Sequence, residues 1–380
     1  MTLKIKDSGV SKSSMAEVNI ILLGKGNVGN AWLSLFNEQK ARFAQTVEVK
    51  LIVVANSTRA IVNFEGLTSN QFNNFAEDST VNDLAGLIEQ VEQAKLDNVL
   101  VIDVTASQQV THSYPEFASL GWNIISANKI PMSVSSERYK RLVSLLKSNG
   151  CYWGINATVG AALPVQSSLV ELIQSGDRVL SINGVFSGSL SYLLVNYDGK
   201  QSFTELVKQA KDAGFTEPDP REDLSGADVQ KKLLILSRLA GYIINLDDIA
   251  VQPLLPQELL QGSVADFWDK KDKIDLYMSQ KFADAEQKSS KLVYEAKVSF
   301  VDKVAFPSVE LTALPAANAV TQLSPTDNVF TLKTDFYNDN PLIIRGPGAG
   351  AIITATAVNI DLNKFVTQLA VANEIANNKK

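Results

Sequence analysis

Asp228 and Lys232 stand four residues apart in a run with helical spacing, so on a helix they share a face and can touch. A lysine held by a carboxylate and partly withdrawn from water is suited to give or take a proton, while a solvated ion pair is the plainer alternative. Helical phase, at roughly 100° per residue, puts Ile235 and Leu239 in line with the pair and Gln230, Lys231, Ser237 and Arg238 on the other side. The pair is therefore expected along the buried edge. Upstream, Glu217-Pro-Asp-Pro220 cannot lie inside a helix, because each proline removes a donor and biases the preceding residue to extended geometry. That places Glu217 on a stiff loop, with the helix starting at Asp223 or Ser225 as its N-cap.

A second constellation concerns a phosphate. Val18–Leu23 reads as a buried strand, Gly24-Lys-Gly26-Asn-Val-Gly29 follows, and Ala31–Phe36 reads as a helix. In such a strand, GxGxxG and helix, the first glycine makes the turn, the second admits a pyrophosphate and the third lets helix and strand pack closely. Val47–Val54, Val99–Val104 and Asn123–Ser126 read as further buried strands separated by helical stretches, which predicts an α/β fold with a doubly wound parallel sheet. The second strand ends in Ala55-Asn56-Ser-Thr-Arg59 with no carboxylate for a ribose 2′-hydroxyl. Arg59 could instead pair with a 2′-phosphate, so NADP(H) is expected to be accepted; a polar turn is the alternative.

The elements around these motifs read in blocks. Ser136–Lys147 is predicted as a helix, and Tyr152–Ala157 as a strand running into Thr158-Val-Gly-Ala-Ala-Leu-Pro164. Helices dominate from Val165 to about Ser290, interrupted by a strand at Val179–Phe186 and by Ser187-Gly-Ser-Leu-Ser-Tyr192, read as a loop able to place backbone donors in a cleft. Leu292–Phe300, Ala305–Thr312, Val329–Tyr337 and Leu342–Ile344 read as a late sheet. Arg345-Gly-Pro-Gly-Ala-Gly350 then opens a small-residue helix that could meet a phosphate or a nicotinamide.

Composition narrows the classes. The chain has 380 residues, 45% of them hydrophobic and 20% charged, which suits a globular protein of two or three subdomains. A net charge of −6 argues against a nucleic-acid surface, and no apolar run is long enough for a membrane span. Cys151 is the one cysteine and fits a reducing compartment, so the expected location is the cytoplasm. With His112 as the one histidine, a transition-metal site or a histidine-based triad is poorly supported. Residues 1–16, rich in serine and lysine, read as a disordered tail.

Taken together the motifs resemble the homoserine dehydrogenase family. Ala210, Gly214, Asp219-Pro220, Asp223, Gly226, Asp228 and Lys232 stand at the intervals of that family's signature. The Gly24–Gly29 loop, Val-Thr-Ala-Ser around Thr105, Ala127-Asn-Lys129, Thr158–Pro164, Ser187–Tyr192 and Arg345–Gly350 are also similar and in order. The likeness, from about Val18 to about Asn373, is to the dehydrogenase half of the bifunctional aspartokinase enzymes, without a kinase half or a C-terminal regulatory domain.

The resemblance implies reversible hydride transfer between NADP(H) or NAD(H) and L-aspartate 4-semialdehyde, giving L-homoserine on the way to threonine, isoleucine and methionine. Lys232 would be the acid/base, Asp228 would hold it and bond substrate, and Glu217 would take the substrate's α-ammonium with Asp223 in support. Lys129 would lie between cofactor and substrate. Asn27 and Val28, then Thr105 and Ala106, would contact the dinucleotide, and Gly346, Gly348 and Gly350 would close over it from the C-terminal side. A monovalent cation, Na+ or K+, would bind the carbonyls matching Val159, Ala161 and Leu163. The fourth position, Asn156, departs from the carboxylate common in the family, although an amide oxygen can coordinate. The implied architecture is a Rossmann domain from 17–155 completed by 346–380, a dimerisation region from 156–163 and 291–345, and an α+β substrate domain from 164–290, forming a homodimer. The rivals are a related dehydrogenase acting on another small amino-acid aldehyde and a nucleotide-binding subunit without catalysis. Thioester chemistry at Cys151 is disfavoured, because no histidine partner is in view.

Overall fold

Seven strands make the first sheet: β1 (Ala16–Leu23), β2 (Val47–Ala55), β3 (Arg59–Val62), β4 (Thr80–Val81), β5 (Val99–Asp103), β6 (Asn123–Ser126) and β7 (Trp153–Gly154). Their order is β4-β3-β2-β1-β5-β6-β7. The five from β2 to β7 run parallel, and β3 and β4 add an antiparallel edge. Strands such as Val-Leu-Val-Ile in β5 are apolar throughout because both faces are covered. On one face Ile20, Leu22, Leu100 and Ile102 pack with Trp32 and Phe36 of the helix Asn27–Phe43 and with Leu362 and Phe365 of the helix Ala351–Asn377. On the other, Ile21, Val53, Val101 and Ile124 meet Tyr114, Phe117 and Leu142.

The computed structural model describes residues 15–378. Of the tail expected at 1–16, residues 1–14 lie outside the described residues, and Ala16 opens β1. The chain divides into two compact units, one ending at Ala162 and resuming at Gly350, the other spanning Leu163–Ala349. Residues 346–349 thus belong with the second unit, as does the whole late sheet.

That second sheet comprises β8 (Val179–Val185), β9 (Ala250–Val251), β10 (Ser290–Val301), β11 (Val304–Pro315), β12 (Asp327–Thr334) and β13 (Leu342–Pro347), in the order β13-β12-β8-β10-β11-β9. All pairings are antiparallel except β9 with β11. The β10–β11 hairpin turns on Asp302 and Lys303, both at positive φ, the geometry that matches strand twist in a two-residue turn.

Several local expectations change. Ser187–Tyr192 is not a loop: Ser187 caps the helix Gly188–Asn196, its Oγ accepting from the Leu190 amide at 3.3 Å. The strand read over Tyr152–Ala157 shrinks to β7, because the chain turns into a short 3-10 helix at Asn156–Thr158. The helix read from Asp223 or Ser225 is two helices, Pro220–Leu224 capped by Asp219, and Ala227–Leu239. Gly226 divides them at φ +77°, where a Cβ would collide with Tyr294 Oη. A side chain is thus excluded there by both backbone and space.

Candidate functional site

In the first unit the predicted dinucleotide residues sit at the C-terminal ends of parallel strands, at the reversal between β1 and β5 where open α/β sheets bind ligands. The Gly24 and Lys25 amides donate to the Ala55 carbonyl at 2.8 and 3.0 Å, tying the glycine loop to the end of β2. A Cβ on Gly29 would collide with the Gly24 carbonyl, and one on Gly24 would stand 3.0 Å from Thr105 Cγ2. At Gly26, by contrast, a Cβ would meet nothing within 4 Å. Gly26 also begins the helix Asn27–Phe43 with no side-chain cap. Uncapped amides on a 17-residue helix behind an open glycine form a cradle that fits a dinucleotide pyrophosphate, with Asn27 and Val28 as its first turn.

Asn56 builds the turn after β2, its Oδ1 accepting from the Thr58 and Arg59 amides at 2.9 and 2.7 Å. Arg59 does not lie in that turn but opens β3. Its Nε donates to Ser79 Oγ at 2.7 Å and its Nη2 to the Ser79 carbonyl, so the guanidinium is anchored across the edge hairpin. Thr105 and Ala106 follow β5, and Lys129 follows β6, opening the short helix Ile130–Ser133.

In the second unit, Lys232 is 8% exposed, and its Nζ donates to the Phe186 carbonyl at 2.7 Å and pairs with Asp228 Oδ2 at 2.7 Å. Phe186 directly follows β8, and its carbonyl also accepts from Asn328 Nδ2 at 3.2 Å. The expected burial of the pair therefore holds for Lys232 alone, since the Asp228 side chain is 49% exposed. Nor do Ser237 and Arg238 face solvent. Both are buried, Ser237 Oγ donating to the Leu233 carbonyl and Arg238 to the Ile244 carbonyl. From Lys232 to Arg238 the helix is enclosed on all sides.

Asp223, which the resemblance implies only as support, organises the loop. Its Oδ1 accepts from Ser189 Oγ at 2.6 Å and its Oδ2 from the Glu217 amide at 2.9 Å. Burial raises its carboxyl above the usual range, the charge of Asp228 adding to the rise. The Ser189 hydroxyl, the Glu217 amide and the charge of Lys232 oppose it. Glu217 is exposed on its loop. Arg221 pins that loop through Asp219, at 2.5 Å, and the Leu260 and Gly262 carbonyls. Gly348 lies so close to Asn328 that a Cβ would collide with Nδ2, and Gly346 sits beside Leu163. Gly350 belongs to the first unit and begins the helix Ala351–Asn377.

The structure adds a carboxylate beside Asn156 that local sequence did not reveal. Asp361 accepts from the Asn156 amide at 2.9 Å and from Asn156 Nδ2. Burial raises its carboxyl to about 6 against these donors. Val159 and Ala161 follow, Ala161 at φ +49°, while the Leu163 carbonyl accepts from the Val165 amide at 2.8 Å. Among the described residues no cluster of histidine, cysteine, aspartate and glutamate suits a metal ion.

Two family models match this chain: homoserine dehydrogenase over residues 164–362, and the homoserine dehydrogenase NAD-binding domain over 24–156. Bifunctional aspartokinase/homoserine dehydrogenase 2 of Escherichia coli is 41% identical over 355 residues, covering 93% of this chain and 44% of that protein. The homoserine dehydrogenase of Schizosaccharomyces pombe is 31% identical over 370 residues, covering 94% of this chain and 97% of that one. The chain thus spans less than half the length of the bifunctional relatives it matches and nearly all of the fission-yeast protein. A crystal structure of S. aureus homoserine dehydrogenase shares the fold, with TM-score 0.69 and 19% identity, covering 94% of this chain and 77% of that one.

Proposed function

This chain belongs to the homoserine dehydrogenase family, and from that premise we propose that it interconverts L-homoserine and L-aspartate 4-semialdehyde with a nicotinamide dinucleotide. The observation that carries the proposal is Lys232: an ammonium almost wholly buried, fixed by one carbonyl and one carboxylate, in the same unit as Asp223 and the Glu217 loop. When bound, the dinucleotide supplies or accepts the hydride. The chain's own residues do the rest.

Aldehyde reduction places negative charge on oxygen, and Lys232 Nζ would donate the proton that quenches it and recover it in the oxidative direction. Asp228, half exposed, holds the ammonium and reaches substrate. Glu217 would take the α-ammonium of the substrate, its backbone fixed by Asp223. Lys129 would add a fixed positive charge where the alkoxide develops.

Gly24, Gly26 and Gly29, with the amides of Asn27 and Val28, would hold the pyrophosphate, and Asn56 and Arg59 the adenosine ribose. Thr105, Ala106 and Lys129 would line the nicotinamide end, with Gly346, Gly348 and Gly350 as the closing segment. The missing carboxylate after β2 and the anchored Arg59 guanidinium favour acceptance of NADP(H) beside NAD(H). Asn156 and the carbonyls of Val159, Ala161 and Leu163 would supply oxygen donors to Na+ or K+, and Asp361 puts a carboxylate beside Asn156. Residues 291–345 would form the homodimer contact, where Val301, Val304 and Phe306 at the hairpin end are exposed and apolar. No described helix is long and apolar enough to cross a membrane. The single cysteine, Cys151, fits a reducing compartment, and on that ground we assign the reaction to cytoplasmic amino-acid biosynthesis.

The test is a steady-state assay of the purified chain with L-homoserine and NADP+ or NAD+, following reduced nicotinamide. Turnover with L-homoserine well above that with other hydroxylated amino acids is expected. No turnover in either direction with either dinucleotide would overturn the proposal.

A further inference from the structure

Asp103 ends β5 with its side chain fully buried, and the chemistry proposed above makes no use of it. Its Oδ1 accepts from the Thr105 amide at 2.8 Å and the Thr105 hydroxyl at 2.7 Å. Its Oδ2 lies 3.0 Å from Tyr114 Oη and accepts from Asn128 Nδ2 at 3.1 Å. Tyr114, also fully buried, places its Oη 2.9 Å from Ser126 Oγ, which donates to the Asn128 carbonyl at 2.8 Å. Asn128 Nδ2 reaches the Ser107 carbonyl at 3.1 Å, while its Oδ1 accepts from the Ile130 amide at 3.1 Å.

A buried carboxylate is a costly way to hold a fold together, because apolar side chains would fill the space without desolvating a charge. Burial indeed raises the Asp103 carboxyl, and the donors from Thr105, Tyr114 and Asn128 oppose the rise. What the carboxylate gains is geometry. One side chain grips both the connection leaving β5, which carries Thr105 and Ala106, and the connection leaving β6, which carries Lys129. Thr105 Cγ2 in turn packs where any side chain on Gly24 would have to go.

We propose that Asp103 is a positioning residue for the dinucleotide: it locks the 104–107 and 127–129 connections together and thereby sets dinucleotide affinity and kcat, leaving substrate affinity untouched. The inference rests on the dinucleotide assignment above and goes beyond it by naming what holds the nicotinamide-end residues in register. Tyr114 supports the carboxylate from behind. Asn128 is the strut between the two connections.

The experiment compares the full chain with Asp103→Asn, Asn128→Ala and Tyr114→Phe, reading the Kd for NADPH by fluorescence, the KM for L-homoserine, kcat and Tm. Asp103→Asn places an amide donor opposite the Asn128 donor, and Asn128→Ala removes the strut. Each is expected to raise the NADPH Kd on the order of tenfold, the loss of one charge-assisted hydrogen bond, and to lower kcat with the homoserine KM unchanged. Tyr114→Phe removes a hydroxyl that touches neither connection through its side chains, so it lowers Tm but leaves the NADPH Kd within about twofold of wild type. An unchanged Kd in both Asp103→Asn and Asn128→Ala would overturn the inference, as would a Kd that followed Tm across all three variants. Should Asp103→Asn fail to fold, Asn128→Ala alone decides between these outcomes. Wild-type protein that binds NADPH but does not oxidise homoserine would overturn the reaction assigned above, and the Kd comparison would still decide the role of Asp103. Where the wild type binds NADH in place of NADPH the same comparison is read with NADH, and wild-type protein that binds neither would overturn both.

Discussion

Replacing Lys232 by methionine removes the ammonium and keeps nearly the same length of apolar chain. The cost to the fold depends on what each partner has left. The Phe186 carbonyl keeps the Asn328 amide at 3.2 Å, so it is not orphaned. Asp228 is 49% exposed, so water replaces the lost ion pair. Losing two charged hydrogen bonds is offset by no longer burying a charge, and the net change in stability is about 1 kcal/mol or less, of either sign. The cost to chemistry is far larger, because a positioned proton donor is worth roughly 100- to 10,000-fold in rate. Steady-state oxidation of L-homoserine by Lys232→Met should therefore show kcat and kcat/KM falling together by that factor, with a denaturation midpoint close to wild type. Affinity for NADPH should be unchanged, since the glycine cradle belongs to the other unit. A variant keeping kcat within about threefold of wild type would refute the proton-transfer role. A loss of rate matched by loss of folded protein would refute the separation of structure from chemistry.

Other outcomes follow from the same geometry. Glu217→Gln should raise the homoserine KM by about tenfold or more while kcat changes little, because it removes a ground-state contact to an ammonium; an unaltered KM would count against that contact. Gly226→Ala should lower unfolding stability by about 2–4 kcal/mol in chemical denaturation, combining a left-handed backbone with a collision against Tyr294 Oη; a loss under about 0.5 kcal/mol would contradict the packing. Glu295 is buried beside Asn183 Nδ2, and burial raises its carboxyl above the ordinary 4.5. A raised carboxyl favours the folded state below 4.5, and that contribution is lost as pH rises through the raised value. Glu295→Gln stays neutral throughout, so its stability relative to wild type should grow from acid to neutral pH in denaturation series; a pH-independent difference would exclude the assigned cause.

Much of this was legible in the sequence for definite reasons. Strands buried on both faces read as apolar runs, which is why Ile20–Leu23 of β1, Leu51–Ala55 of β2 and Val99–Ile102 of β5 stand out in the sequence. The glycine loop was legible because Gly24 and Gly29 leave no room for a side chain, while the spacing puts a third glycine, Gly26, where the backbone must stay open to a ligand. The edge strands β3 and β4 were not, being four and two residues long and largely exposed. Helical phase placed Lys232 correctly but misjudged Asp228, Ser237 and Arg238. Phase arguments assume one covered face, and this helix is enclosed along most of its length, with Arg238 satisfied by the carbonyl of Ile244. The role of Asp223 became visible only when the Glu217 loop closed back on it. Asp361 meets Asn156 from 205 residues away, and Asp103 meets Asn128 from 25, distances over which no local pattern carries information.

The most direct measurement of the central claim uses L-homoserine with both hydrogens on its hydroxyl-bearing carbon replaced by deuterium. Incubated with the purified chain and NADP+ or NAD+, it should yield reduced dinucleotide bearing one deuterium by mass spectrometry, with L-aspartate 4-semialdehyde as the other product. Reduced dinucleotide without deuterium, or deuterated homoserine returned unchanged while the protein binds dinucleotide normally, would contradict the assignment.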